Sequence, residues 1–83
     1  MKREAQKYHV VPAPHYRWEV REEGVSRVLS SHPSKEKAQE VALRHALNSR
    51  PSQVMIHHRD GSLEARYLFS PEFVPFDAEG ELA

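Results

Sequence analysis

Two runs of alternating apolar and polar residues, Val54–His58 and Ser62–Phe69, meet around Asp60-Gly61, and no other feature constrains the fold as much. Both residues of that dipeptide tolerate positive φ, so a tight turn of the primed type is expected between two paired strands. This hairpin closes a chain that already holds strands and one helix.

Upstream, Tyr8-His9-Val10-Val11 is a short β-prone run. Pro12 and Pro14 fix φ and lack N–H donors, so the strand is expected to stop there. Tyr16, Trp18 and Val20 then alternate with Arg17, Glu19 and Arg21, a period of two that sends aromatics to one face and charges to the other. Gly24 supplies a turn, and Ser26 to Ser31 reads as the return strand. Ser34 is placed to cap a helix whose buried face holds Ala38, Val41, Ala42, His45 and Ala46, with Leu43 and Leu47 one turn apart on its flank. Arg50-Pro51-Ser52 ends it. The expected order is β-β-β-α-β-β: an α+β domain with a mostly antiparallel sheet of four to five strands and one helix across one face.

These residues resemble the small bacterial family designated domain of unknown function 2188. The resemblance rests on Tyr8 to Pro12, on Trp18 and Val20, on Gly24, on the helix start at Ser34, Lys35 and Ala38, and on His57, Arg59, Asp60 and Gly61. It covers about Tyr8 to Tyr67. The chain departs from the family pattern at His15-Tyr16-Arg17, where the family often has glycines, and its tail beyond Phe69 looks additional. The resemblance implies a fold and carries no established substrate, cofactor or catalytic residue.

At 83 residues the chain holds one domain, expected over residues 8–69, with a charged arm at 1–7 and an acidic, proline-containing tail at 70–83 that drapes or moves. So small a core is thin, because ordering a residue costs about 1.5 kcal/mol and nearly cancels the apolar burial. Self-association as a homodimer is therefore an expected extra source of stability. The 12 Lys+Arg and 12 Asp+Glu balance to zero, which removes the long-range field that usually steers a protein to nucleic acid or an acidic membrane. Cysteine is absent, excluding disulfides, thiolate nucleophiles and Cys-ligated zinc and suiting a reducing cytoplasm. The charged start and the lack of a long apolar run disfavour secretion and membrane spanning.

Six histidines invite a metal reading. Adjacent strand residues point to opposite faces, so His57 and His58 should not share an ion, and a site would need His57 with His9 or another distant ligand. Surface or hydrogen-bonded histidines are expected instead, with no metal and no cofactor. His45 is read as a neutral imidazole at the core edge rather than a catalytic base. Ser30, Ser31, Ser34, Ser49 and Ser52 are read as caps and turn makers, and no catalytic residue is expected.

By alternation, the sheet face away from the helix carries His9, Val11, Arg17, Glu19, Arg21, Met55, His57, Glu64, Arg66 and Leu68. Val11, Met55 and Leu68 framed by Arg17, Arg21, His57 and Arg66 have the composition of a protein contact with an apolar centre and polar rim. Leu43 and Leu47 offer a second contact. A binding or protein-interaction module without catalysis is the expected function. The alternative is a nucleic-acid accessory protein using Lys7, Arg17, Arg21 and Arg66, weakened because Tyr8, Tyr16, Trp18 and Tyr67 alternate toward the other face, away from these bases.

Overall fold

The structure, a computed structural model, describes residues 5–71; the first four residues of the expected arm and most of the expected tail lie outside them. The elements are β1 (Gln6–Ala13), β2 (Arg17–Glu22), β3 (Val28–His32), α1 (Lys35–Leu47), β4 (Ser52–His57) and β5 (Leu63–Phe69). They form one sheet in the order β3-β2-β1-β4-β5. Only β1 and β4 run parallel among the described strands; the other neighbours are antiparallel. The α+β class and the β-β-β-α-β-β order are as expected from the sequence.

Period-two alternation puts Tyr8 and Val10 of β1, Trp18 and Val20 of β2, and Val54 and Ile56 of β4 on the helix side, where all are buried. The helix answers with Ala38, Ala42 and Ala46, one turn apart and fully buried. Small residues on this row let the helix lie close to the sheet, so the bulk of the core comes from the strands. Ser34 caps the helix as expected, its hydroxyl accepting from the Lys37 N–H at 3.1 Å. At the far end the buried Ser52 hydroxyl donates to the Ala46 carbonyl at 2.6 Å, so β4 is tied to the last turn of α1.

Several local expectations are corrected. β1 runs through Pro12 to Ala13 instead of stopping at Val11. Its pairing with β4 ends at Val10, so at Pro12 β1 has only β2 beside it and the missing N–H breaks no ladder on the other side. Tyr16 is not in β2: Pro14–Tyr16 form a 3-10 turn in which His15 and Tyr16 both have left-handed backbone, φ 62° and 60°. These are the positions where glycines were expected of the family, and glycine is the residue that adopts such φ without steric cost. The β4–β5 connection is not a two-residue primed turn either, since only Gly61 has positive φ. The Gly61 N–H donates to the His58 carbonyl at 2.9 Å, giving a turn over His58–Gly61 that ends in a left-handed glycine.

His45 is exposed rather than part of the buried face, and its ring stacks on the core residue Tyr8 at 5.7 Å between centroids, so it borders the core. Val41 and His45 sit one residue before the alanine row, on its flank, so the buried stripe is narrower than the spacing suggested. Leu43, on the opposite flank, is half-buried against the core, whereas Leu47 is 50% exposed.

Candidate functional site

The uncovered face of the sheet gathers most of the sequence-derived candidates. His9 and Val11 from β1, Arg17, Glu19 and Arg21 from β2, Met55 and His57 from β4, and Arg66 and Leu68 from β5 follow the expected alternation. Glu64 does not. A register shift between Ile56 and His57 places Leu63 opposite His57 and leaves Glu64 as the extra residue of a bulge. Its carboxylate reaches the helix side, where it accepts from Lys35 and lies 3.5 Å from His58 Nδ1. The Lys35 bond holds the Glu64 carboxyl below the usual carboxylate range.

Met55 was expected at the centre of an exposed apolar patch, and it is 7% exposed. Its register partners are His9 on one neighbouring strand and Arg66 on the other, so it occupies a central position of the sheet between polar residues. Val11 is half-buried, while Leu68 on the outermost strand is 70% exposed. The apolar surface is therefore at the edge of the sheet. Leu63 and Tyr67 of the same strand are each 47% exposed. Tyr67 points to the helix side, yet the helix packs on β1, β2, β3 and β4, so β5 extends beyond its main footprint. Alternation assigns a face; it does not say how far the covering helix reaches.

The positive charges of the face are largely engaged. Arg21 Nε donates to Glu19 Oε1 at 3.0 Å, Arg17 Nε to the Ser31 hydroxyl at 3.0 Å, and Lys7 lies 3.7 Å from Glu23. Arg66 is exposed.

His9 and His57 are brought together, as a shared role would require. His9 Nδ1 lies 3.0 Å from His57 Nε2. The outer nitrogens are held as well: His9 Nε2–H donates to Glu23 Oε1 at 2.9 Å and His57 Nδ1–H to the Gly61 carbonyl at 3.0 Å. Glu23 belongs to the β2–β3 turn, where Gly24 takes φ 86°, and sequence reasoning did not single it out. Its carboxyl is held below the usual range first by the bond from His9 and then by Lys7. Among the described residues, no group of three or more His, Asp or Glu side chains is arranged to hold a metal ion.

Arg59 was likewise missed as a positioning residue, although it lies in the His57-to-Gly61 motif. Its guanidinium donates to the Ala13 carbonyl at 3.1 Å and to the Arg17 carbonyl at 3.3 Å, and it lies 4.5 Å from the Trp18 ring centroid and 5.6 Å from that of Tyr16. One cation thereby clamps the β4–β5 turn onto the β1–β2 turn through directed bonds and two aromatic faces. Asp60 holds the same turn from inside, accepting from the Ser62 hydroxyl at 2.6 Å and the Ser62 N–H at 2.9 Å, and these bonds lower its carboxyl below the usual range. The sequence motif is therefore a structural fastening.

No helix among the described residues is long and apolar enough to cross a membrane. No curated protein and no solved structure matches the chain. The sequence model of a bacterial family described as "Uncharacterized protein conserved in bacteria (DUF2188)" matches residues 8–69. That span contains all five strands except the start of β1, together with the helix, the histidine pair and the Arg59 clamp. The chain belongs to this family.

Proposed function

We propose that the domain is a small non-catalytic binding module that pairs with a second copy of its own chain through the outer edge of β5. The observation that carries this reading is the gathering of Leu63, Tyr67 and Leu68, all about half exposed or more, on one edge strand. Among the described residues β5 has no strand neighbour on its outer side, so its outward backbone donors and acceptors have no ladder partner among those residues. The opposite edge, β3, is shorter, carries Ser30, Ser31 and His32, and is irregular against β2. It suits pairing less.

The strand's own sequence favours a like partner. A two-fold axis through Tyr67 sets the two Tyr67 rings side by side, pairs Ala65 with Phe69, and puts Arg66 beside Leu68, so no like charges face each other. An axis through Arg66 would oppose two arginines and is disfavoured. The cysteine-free sequence supports action in a reducing cytoplasm. Nucleic-acid binding has weaker support, because Arg21 and Lys7 are engaged by Glu19 and Glu23.

Sedimentation at high micromolar concentration tests the reading. The wild type should be a dimer, and Tyr67→Glu, placing two carboxylates at the axis, should be a folded monomer. A monomeric wild type would end the proposal, as would a Tyr67→Glu protein that remains dimeric.

A further inference from the structure

We infer that His9 and His57 form a proton-binding pair, two imidazoles that together hold three ring protons and carry one shared positive charge. The argument is a count of hydrogens. Three contacts involve the two rings: Glu23 to His9 Nε2, His9 Nδ1 to His57 Nε2, and His57 Nδ1 to the Gly61 carbonyl. The carboxylate and the carbonyl can only accept, so each outer nitrogen must carry a hydrogen. Two neutral imidazoles have no hydrogen left for the inner contact, and two lone pairs would then face each other at 3.0 Å. Two imidazolium rings would bring two N–H groups together there. Three protons satisfy all three contacts, and no other number does.

The head-on approach of the two rings also suits a proton better than a metal ion. The ring centroids are 5.2 Å apart, close to the 3.0 Å nitrogen separation extended by a ring radius at each end, so the rings meet nearly head-on. An ion on that line would lie well inside the usual Zn–N distance of about 2.0 Å from both nitrogens. A hydrogen fits.

The charge has its counter-ion. Glu23 faces the pair from the β2–β3 turn, with Lys7 of β1 on its other oxygen. Arg21 lies opposite His9 on β2 and is engaged by Glu19, while Arg66 of β5 lies opposite the intervening Met55. The pair thus links the β2–β3 turn, through β1 and β4, to the β4–β5 turn. Loss of the proton opens the middle of that chain.

The sign of the pH effect follows from which state holds more protons. At a pH where free histidines are mostly neutral, the folded domain retains a proton that the unfolded chain releases, so stability falls as pH rises. The slope should approach a tenfold loss in the folding equilibrium constant per pH unit, about the most that one proton can give. Glu23 acts on the acid side: its folded carboxyl is lowered, so its contribution is present above the ordinary glutamate range and is lost as pH falls through the lowered value.

Nitrogen-15 NMR of the histidine rings, about one pH unit above the ordinary histidine midpoint near 6.5, tests the pair directly. Three protonated nitrogens are expected over His9 and His57, with a coupling across the inner contact. Urea unfolding against pH should show the alkaline loss in wild type and a shallower one in His57→Asn, where only the bond from His9 to Glu23 remains. Glu23→Gln, which keeps an acceptor but removes the charge, should move the loss to lower pH, and it serves as the deciding variant if His57→Asn fails to fold. Two neutral rings with no coupling would overturn the inference. So would ligation of the inner nitrogens by zinc at one molar equivalent.

Discussion

On the covered face of the sheet, Tyr8, Val10, Trp18, Val20, Val54 and Ile56 meet a row of alanines, and contact there is apolar and continuous. On the other face of the same strands, His9, His57, Glu19, Arg21 and Glu23 are joined by directed bonds between 2.9 and 3.0 Å. The first arrangement depends on area removed from water and is insensitive to pH. The second depends on protonation and charge, and it is screened wherever it is exposed. A strand with period two can therefore serve both kinds of cohesion at once. One face fixes the fold, while the other is free to respond to the surroundings.

Three substitutions probe that division. Trp18→Ala removes the largest core side chain from under the helix and should cost about 3–5 kcal/mol, enough to unfold so small a domain. A melting temperature like that of the wild type would mean that the covered face is not the source of stability. Met55→Ala tests the opposite side. Because Met55 is buried between polar register partners, the loss should be about 2 kcal/mol by urea unfolding, the low end for such truncations. A change under about 0.5 kcal/mol, typical of ordinary surface sites, would leave the uncovered face with directed bonds alone. Ser34→Ala loosens the first turn of the cover without touching the sheet and should cost about 1 kcal/mol. If hydrogen exchange then quickened equally on both faces, the two would not be separable.

The covered face was legible in the sequence because burial repeats: Trp18 and Val20, Tyr8 and Val10, and the Ser34 cap all fall where spacing and side-chain chemistry place them. The uncovered face was legible only as a set of residues. Which of them meet depends on β1 lying beside β4, a pairing between strands separated by two other strands and the helix. No local pattern encodes that adjacency, so His9 could be offered to His57 only as one of several distant partners, and Met55 could not be recognised as covered. The tight turns show the same limit. Asp60-Gly61 marks a turn correctly, but Arg59, by bonding to Ala13 and Arg17, adds a long-range constraint that dipeptide preference does not contain. His15 and Tyr16 go further against local expectation. Their left-handed backbone costs of order 1 kcal/mol or more per residue and is held by the surrounding structure.

The parallel β1–β4 pair also orders events during synthesis. β1, β2, β3 and the helix leave the ribosome first, while the strand destined for β1's other side is still being made. Until β4 arrives, the strand that will be central in the finished sheet is an outer one, with an unpaired backbone beside Tyr8 and Val10. The nascent chain is then most open to unwanted pairing at its eventual centre, and release from that exposure waits for the final hairpin to emerge.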